Sequence, residues 1–332
     1  MDKVAKLSTQ ERKELFGEAA AKKGVTPAII EKDFWVTWVL SKLFSNVELS
    51  RILMFKGGTS LSKVFKQIER FSEDIDLILD WRLVTSEDPL HERSKTQQKT
   101  LNASINEQAK TYICTHLFPL ISSQVSPICT CTISEDTDKE AVLNIDYPAA
   151  FSNDYFRAGI QLEIGPLAAW LPSSTFNITS YAAEAFPHVF EHPSCTVNSI
   201  HAERTFWDKA TILHQEAHRP PHSPLPSRYS RHYFDLAQMA GSQIKVSALA
   251  DLDLLASVVS YKELFYPRGW ARYDLAQSGT FKLAPAPHIL TSLEDDYTKM
   301  REMIFGGYLP FEDMLARLAT LEQEINAIHP VN

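Results

Sequence analysis

Residues 51–79 carry the pattern that most constrains how this chain folds. Arg51–Phe55 is a short β-like run, and GGTSLSKVFKQIERF (57–71) predicts a tight turn that leads into a helix. DIDLIL (74–79) alternates carboxylate and apolar side chains and then becomes wholly apolar, which indicates a strand whose beginning faces a solvent-filled site. The order strand, double glycine, helix, strand therefore predicts one supersecondary unit.

The polar residues of this unit suit phosphate and metal chemistry. Asp74 and Asp76 stand at i and i+2, so their carboxylates point to one face of the predicted strand, where each can hold a divalent cation about 4 Å from the next. Gly57-Gly58 lets the backbone approach a phosphate, and the N-terminus of the following helix, capped by Thr59 or Ser60, adds a favourable dipole. Either motif alone is weak, but together they predict a phosphoryl- or nucleotidyl-transfer site.

The rest of the chain predicts an α+β fold followed by helices. Residues 26–45 form a largely buried helix, strand-like runs lie within 124–165, and a helix covers roughly 202–218. Residues 219–230 are proline-rich and predict a loop. We therefore expect a mixed-sheet domain with an N-terminal helical segment over 1–200, and a mainly helical domain over 201–332 with a second loop near 266–288.

The composition of the chain excludes some classes of protein. The net charge of −8 argues against a broad basic nucleic-acid surface and leaves room for one local basic pocket. The polar start predicts no signal peptide, and no apolar run approaches the roughly eighteen residues of a membrane span. The cysteines are too few for a disulfide scaffold, so we expect reduced thiols in a cytoplasmic protein, with Cys129 and Cys131 on one side of a strand.

FKGGTSLSK (55–63) followed by RFSEDIDL (70–77) closely resembles the AbiEii/AbiGii toxin family of nucleotidyltransferases, which belongs to the DNA polymerase β-like superfamily. The resemblance covers most of the chain. It extends to IIEKDFW (29–35), QLEIG (161–165), ERTFWDKATILH (203–214), RHYFDL (231–236) and YPRGWARYDLA (266–276).

The resemblance implies a polymerase β-like mixed-sheet domain, a C-terminal helical domain and an enzyme that moves a nucleoside monophosphate from an NTP to an acceptor with Mg²⁺ or Mn²⁺. It implies the toxin of a toxin–antitoxin or phage-defence module, with a cognate antitoxin as partner and the tRNA 3′ end as acceptor. Two alternatives stay open: transfer to a protein or small-molecule hydroxyl, and a non-catalytic nucleotide-binding module. The presence of both Asp74 and Asp76 disfavours the module.

The resemblance also implies roles for single residues. Asp74 and Asp76 would bind the metal, and Glu163 would be a third metal ligand or the general base for the acceptor hydroxyl. Asp235 would be the matching acidic residue of the helical part. The residues that would contact the nucleotide are Gly57, Gly58, Thr59, Ser60, Lys63, Lys209 and Arg231, or Arg228 just before it.

Each candidate also has a purely structural interpretation. Glu163 could pair with a neighbour on the sheet, Lys209 could be a solvated helix lysine, and Asp235 could pair locally with Arg231. Glu73 should point away from the metals. The other residues weighed in this way are His214, His218 and His222, which have a zinc-like spacing but are more often packing residues; Trp35 and Trp38, which favour a core; and Tyr266, Arg268, Trp270, Arg272 and Tyr273, which either bind nucleic acid or form a packed loop.

Overall fold

A computed structural model describes residues 1–72, 74–134, 142–151 and 159–328. Glu73 lies outside the described residues, so its predicted orientation has no structural counterpart. The chain divides into two compact units. The first contains Met1–Val64 and Phe71–Ile200, and the second contains Phe65–Arg70 and His201–Asn332.

A mixed sheet forms the centre of the first unit. Its strands are β1 (Leu53–Lys56), β2 (Asp74–Leu79), β3 (Thr130–Ile133), β4 (Val142–Asp146), β5 (Gly159–Gly165), β6 (Ser173–Thr179) and β7 (Ser194–Ile200), in the spatial order β3-β4-β5-β2-β1-β7-β6. β2 pairs parallel with β5 and antiparallel with β1, and β1 pairs parallel with β7. The predicted mixed α+β fold is therefore confirmed.

Helices cover this sheet. They are α1 (Asp2–Ala5), α2 (Thr9–Lys23), α3 (Pro27–Ser45), α4 (Val47–Ile52), α5 (Gly57–Lys63), α6 (Lys95–Tyr112), α7 (Phe118–Val125) and α8 (Tyr181–Ala185). α3 packs on β7 and is buried along most of its length, with Trp35 and Trp38 almost fully covered, as expected for core residues. Its aromatic side chains remove a large apolar area from water and fix the helix against the sheet.

The second unit is helical. Its helices are α9 (Ala202–Ala217), α10 (Ser230–Met239), α11 (Gln243–Leu249), α12 (Leu252–Phe265), α13 (Leu290–Met300) and α14 (Phe311–Ala327). α9 packs against α10, α11 and α12, and α10 also packs against α13 and α14. Phe206, Trp207, Tyr233, Phe234 and Tyr297 form much of the buried core. None of the helices in the described ranges is both long and apolar enough to cross a membrane.

Two local predictions around the double glycine are wrong. Arg51 and Ile52 belong to α4 and not to the strand, because the Asn46 side chain caps that helix by accepting hydrogen bonds from the Glu48 and Leu49 N–H groups. The helix after the double glycine ends at Lys63 and does not continue to residue 71. Lys66 has a φ of 53°, in the left-handed region, and residues 65–70 belong to the second unit.

Cys129 and Cys131, which the sequence predicts on one side of a strand, lie at β3. Cys129 precedes this strand and Cys131 lies within it, and both are buried. Burial raises the pKa of the Cys129 thiol to about 12 and that of the Cys131 thiol to about 11. The four cysteines, all within the described ranges, are free thiols.

Candidate active site

Gly57 and Asp76 lie against each other at the turn that contains the double glycine. Lys56 is extended, Gly57 has a φ of 81°, and α5 begins at once. A Cβ on Gly57 would overlap Oδ2 of Asp76 and lie 2.6 Å from its Cγ. A glycine is thus needed at position 57 for two reasons: the backbone is left-handed there, and the Asp76 carboxylate fills the space that a Cβ would occupy. The double glycine and the Asp-x-Asp strand therefore form one place in the fold.

Strand register gathers further charged side chains on the same face. Asp76 stands opposite Glu163 in the parallel β2–β5 pair and opposite Lys56 in the antiparallel β1–β2 pair. Directly opposed residues share a sheet face, and so do Asp74 and Asp76 at i and i+2. Asp74 and Asp76 are half-buried, whereas Glu163 is exposed. Three carboxylates and one ammonium thus share one surface of the sheet.

Thr59 and Ser60 do not cap α5, which corrects the prediction. The helix starts two residues before Thr59, and Lys56 occupies the capping position. The Thr59 hydroxyl donates a 2.5 Å hydrogen bond to the carbonyl oxygen of Asp74, and the Ser60 hydroxyl donates a 2.8 Å bond to the carbonyl of Gly57. Both side chains are buried. They tie the glycine turn to the strand of aspartates, and their hydroxyls are already used inside the protein.

Lys63, for which the resemblance implies a contact with phosphates, faces inward. Its ammonium forms a 2.6 Å ion pair with Asp33 on α3 and donates a 2.9 Å hydrogen bond to the carbonyl of Thr179. It also lies 4.5 Å from the centre of the Tyr181 ring. Asp33 accepts a second bond from the Tyr181 N–H. Lys63 therefore anchors the end of α5, and phosphate binding would require breaking a buried ion pair.

The aspartate pair fits a divalent cation. Mg²⁺ prefers hard oxygen ligands and is commonly held by one or two carboxylates together with water and substrate phosphates. Asp74 and Asp76 supply two carboxylates on one sheet face, beside the Gly57 backbone. Within the described ranges, no group of three or more His, Cys, Asp or Glu side chains lies close enough to surround one ion. The donor set present is thus a pair of aspartates, with Glu163 on the neighbouring strand.

The helical unit brings Lys209 and Asp235 together. Asp235 is fully buried and accepts two 2.6 Å hydrogen bonds from Arg70, one from Nε and one from Nη2, and it forms a 2.7 Å ion pair with Lys209. Burial alone would raise the pKa of Asp235, but the charges of Arg70 and Lys209 outweigh it and hold this pKa below its ordinary value. The predicted local partner Arg231 is replaced by Arg70.

The remaining basic and aromatic candidates also lie in the helical unit. Arg231 is half-buried on α10, and the backbone N–H of Arg228 donates to Asp296. Trp270 has the guanidinium of Arg219 at 5.0 Å and that of Arg268 at 5.6 Å from its ring centre. The segment over residues 266–273 is thus a loop whose indole already contacts two cations.

His214 is a packing residue. Its Nδ1 accepts a hydrogen bond from the Lys282 N–H at 3.0 Å, so Nε2 carries the proton and donates to the Arg272 carbonyl at 2.9 Å. His218 bonds to the carbonyl of His214 through its own Nδ1. Both ring nitrogens of His214 are therefore occupied, which favours the packing interpretation over a zinc site.

The burial of His214 predicts a pH-dependent stability. Burial lowers the pKa of His214 to about 4, whereas an unfolded histidine titrates near 6.5. Between these values the unfolded chain binds a proton that the native chain does not, so stability is fully present above pH 6.5 and is lost as pH falls towards 4. The loss should reach about 3 kcal/mol, at about 1.4 kcal/mol per pKa unit. Urea unfolding between pH 4 and 8 measures it.

The comparison variant for this pH dependence is His214→Gln, which lacks the titrating ring. It should be less stable at pH 7 and should show a flatter pH dependence than the wild type. Replacing the exposed His222 by Gln should leave the wild-type slope unchanged. Equal slopes in the wild type and His214→Gln would contradict the assignment.

Two site residues carry sequence signals that are visible only with the register in hand. Lys56 directly precedes the double glycine, but its place opposite Asp76 depends on how β1 pairs with β2. Arg70 begins the RFSEDIDL motif, but its partner Asp235 is 165 residues away. The signal in the sequence is that both residues are basic and adjoin a motif, Lys56 the double glycine and Arg70 the segment RFSEDIDL.

A double-glycine turn placed against an Asp-x-Asp strand, in a mixed sheet followed by a helical unit, is the arrangement of a nucleotidyltransferase. The match to a family model establishes this class and also the family. The chain belongs to the family described as nucleotidyl transferase AbiEii toxin, type IV toxin–antitoxin system, whose model matches residues 38–317. Membership implies an NTP substrate and a cognate antitoxin, and the family generally uses a divalent metal.

A search of curated proteins finds no match. Among solved structures, the chain is similar to MenT4, a nucleotidyltransferase toxin from Mycobacterium tuberculosis H37Rv, with 14% identity and a TM-score of 0.43, over 95% of this chain and 99% of that one.

Proposed function

We propose that this toxin transfers a nucleoside monophosphate from an NTP to the 3′ end of tRNA, with Mg²⁺ or Mn²⁺ held by Asp74 and Asp76. One observation carries the proposal: the Asp76 carboxylate fills the space over the Cα of Gly57. Nucleotidyl transfer needs a metal-binding carboxylate and a backbone that can lie against a phosphate in one place.

Each residue of the proposed site has its own role in the transfer reaction. When bound, the divalent cation would neutralise charge on the triphosphate and lower the pKa of the attacking hydroxyl. Gly57 and Gly58 hold phosphate oxygens through backbone N–H groups, and Lys56 adds positive charge on the face of Asp76. The acceptor oxygen bonds to the α-phosphorus as the bond to the bridging oxygen breaks and pyrophosphate leaves. Glu163, exposed on β5, takes the hydroxyl proton.

The roles of the helical residues rest on the family resemblance. We assign Lys209 and Arg231 to phosphate charge, and Asp235 to the acidic position that accompanies Lys209. The ion pair between Lys209 and Asp235 supports this assignment, because it fixes the ammonium in one orientation. Thr59 and Ser60 are left out of the proposed contacts, since their hydroxyls are bonded inside the protein. Lys63 is left out because its ammonium is bonded both to Asp33 and to the Thr179 carbonyl, whereas the Lys209 ammonium pairs with Asp235 alone among the described residues.

The choice of tRNA as acceptor rests on the family resemblance. On the same basis we propose that the protein acts in the cytoplasm and belongs to a phage-defence module. A chain with a net charge of −8 can offer tRNA only a local basic surface. Contact with tRNA should therefore be limited in extent and should weaken steeply as salt rises.

The decisive test is transfer of label from each of the four α-³²P-NTPs, with Mg²⁺, to total tRNA or total protein. Labelled tRNA is expected from the wild type, and Asp76→Ala should reduce the rate on the order of 100-fold or more, because it removes charge stabilisation at the reacting phosphate. Asp253→Asn, on the surface of the helical unit, is the control and should label tRNA as the wild type does.

Each outcome has a meaning. Labelled protein in place of tRNA would keep the active site and move the acceptor to a protein hydroxyl. Absence of label on either, together with no NTP binding by calorimetry, would count against catalysis and favour a binding module with a degenerate site.

A further inference from the structure

Three consecutive charged residues, Glu31, Lys32 and Asp33, lie buried in the second turn of α3. Their exposed fractions are 1%, 1% and 7%. Burying a charge costs free energy unless hydrogen bonds or an opposite charge compensate for it, so each of these residues needs partners inside the protein. Successive residues of a helix point about 100° apart. The three side chains therefore reach three different parts of the first unit.

Asp33 reaches the end of α5. One of its carboxylate oxygens pairs with the Lys63 ammonium at 2.6 Å, and the other accepts a 2.6 Å hydrogen bond from the Tyr181 N–H. Lys63 also donates to the carbonyl of Thr179, so the last residue of α5 is fixed both to α3 and to the end of β6. Gly57 begins this short helix, only about 9 Å from its end at 1.5 Å per residue. The placement of Lys63 is thus passed on to the glycine turn.

Lys32 reaches the beginning of β5. Its ammonium donates a hydrogen bond to the carbonyl oxygen of Gly159, the first residue of that strand. It also lies 5.5 Å from the centre of the Phe71 ring, which precedes β2. Further along β5 stands Glu163, about 13 Å from Gly159 at about 3.3 Å per residue. Lys32 therefore fixes the start of the strand that carries the proposed general base.

Glu31 holds the segment that follows β4. Its two carboxylate oxygens accept hydrogen bonds from the N–H of Ala150 at 2.7 Å and from the N–H of Phe151 at 2.9 Å. These residues lie between β4 and β5, which pair antiparallel. Glu31 and Lys32 thus hold neighbouring parts of one strand pair, while Asp33 holds α5.

We infer that Glu31, Lys32 and Asp33, the α3 charged triplet, are positioning residues for nucleotide transfer. This inference rests on the proposed function, in which Gly57 holds phosphate and Glu163 takes the acceptor proton. These two groups lie on different elements, and the triplet joins both elements to one helix. Apolar side chains could fill the same space, but hydrophobic contact is non-directional, whereas hydrogen bonds fix orientation. A displacement of about 1 Å is enough to lower the rate on the order of 100-fold.

Two substitutions separate the two contacts of the triplet by their kinetics. Asp33→Asn keeps an oxygen for the Tyr181 N–H and removes the charge that holds Lys63. It should loosen the glycine turn proposed to bind phosphate and raise the dissociation constant of the NTP about tenfold. Lys32→Met keeps the length of the side chain and removes its hydrogen bond to Gly159. It should lower kcat about tenfold and leave NTP binding within about twofold of the wild type.

Binding and turnover are measured separately. Calorimetry without acceptor gives the dissociation constant for each of the four NTPs, and label transfer to tRNA at saturating NTP gives kcat. Glu216→Gln is the matched control, because Glu216 is fully buried on α9 and accepts a 2.9 Å hydrogen bond from Arg219. Thermal unfolding should show that this variant loses stability as the triplet variants do. Its kcat and its NTP dissociation constants should match those of the wild type.

Folded Asp33→Asn and Lys32→Met proteins with kcat and NTP dissociation constants within about twofold of the wild type would overturn the inference. Losses that follow only the unfolded fraction would also overturn it, because the triplet would then be purely structural. Lys63→Gln and Lys32→Gln are milder substitutions that test the same two contacts, and failure of all four variants to fold would count as the same structural result. A wild type that transfers no label would instead remove the proposed function, and the NTP dissociation constants would still decide the role of Asp33.

Discussion

Gly57→Ala is expected to fold and to lose nucleotide transfer by on the order of 100-fold or more, because misplacing catalytic groups by about 1 Å is enough for such a loss. A methyl group here would stand 2.6 Å from Cγ of Asp76 and overlap its Oδ2. The carboxylate must then move, or the turn must open, and either change separates the side chain proposed to bind the metal from the backbone proposed to bind phosphate. The measurement is the initial rate of label transfer at saturating NTP, with thermal unfolding in parallel.

Gly24→Ala is the matched control for this substitution. Gly24 ends α2 with a φ of 75°, close to the 81° of Gly57, but a Cβ there would meet nothing within 4 Å. Both variants carry a similar backbone strain, on the order of 1 kcal/mol of stability. Gly24→Ala should therefore unfold earlier and transfer at the wild-type rate. A Gly57→Ala enzyme that is folded and as fast as Gly24→Ala would show that the chemistry lies elsewhere.

Arg70→Ala is expected to lower the free energy of unfolding by about 3 kcal/mol, the scale for removing one partner of a buried ion pair. Arg70 and Asp235 are almost fully buried, and the guanidinium donates through two nitrogens to the two carboxylate oxygens. Without Arg70, Asp235 keeps only Lys209, and one carboxylate oxygen loses its donor in a site with little access to water. Urea unfolding at pH 7 measures the loss.

A surface pair in the same helical unit provides the reference. Arg272 and Asp274 form an ion pair with half of each side chain exposed, so Arg272→Ala should cost less than about 1 kcal/mol. Arg70→Lys should recover part of the loss, because it restores the charge but only one of the two aligned donors. Equal midpoints for Arg70→Ala and Arg272→Ala would contradict the picture of a buried anchor.

The sequence predicted the parts of the site that depend on local periodicity. Alternation placed Asp74 and Asp76 on one strand face, and the structure has them on β2. The apolar pattern of 202–218 likewise predicted α9, which spans Ala202–Ala217. The strands β6 and β7 were not predicted, because their Ser-, Thr- and Asn-rich sequences present few apolar residues to mark a buried face. Their pairing with each other depends on contacts that periodicity does not contain.

The features that sequence reasoning missed are those fixed by distant partners. Lys63 turns inward because Asp33, 30 residues earlier, lies within reach of its ammonium. The helix after the double glycine stops early because residues 65–70 join the helical unit. The partner of Asp235 is Arg70 and not the neighbouring Arg231, and Arg70 donates to both carboxylate oxygens through two nitrogens. Sequence spacing has no access to any of these choices.

The short excursion of residues 65–70 limits how this toxin can be divided or recombined. Its backbone is held by residues 304–306: Arg70 bridges Ile304, and the Glu69 carbonyl accepts from the Phe305 and Gly306 N–H groups. A fragment that ends at residue 200 would keep Arg70 and Glu69 but lose Asp235 and all of these partners. The unit that contains the sheet therefore cannot be separated by gene fusion and attached to another helical unit. Any chimera of two such toxins would have to exchange residues 65–70 together with the C-terminal segment.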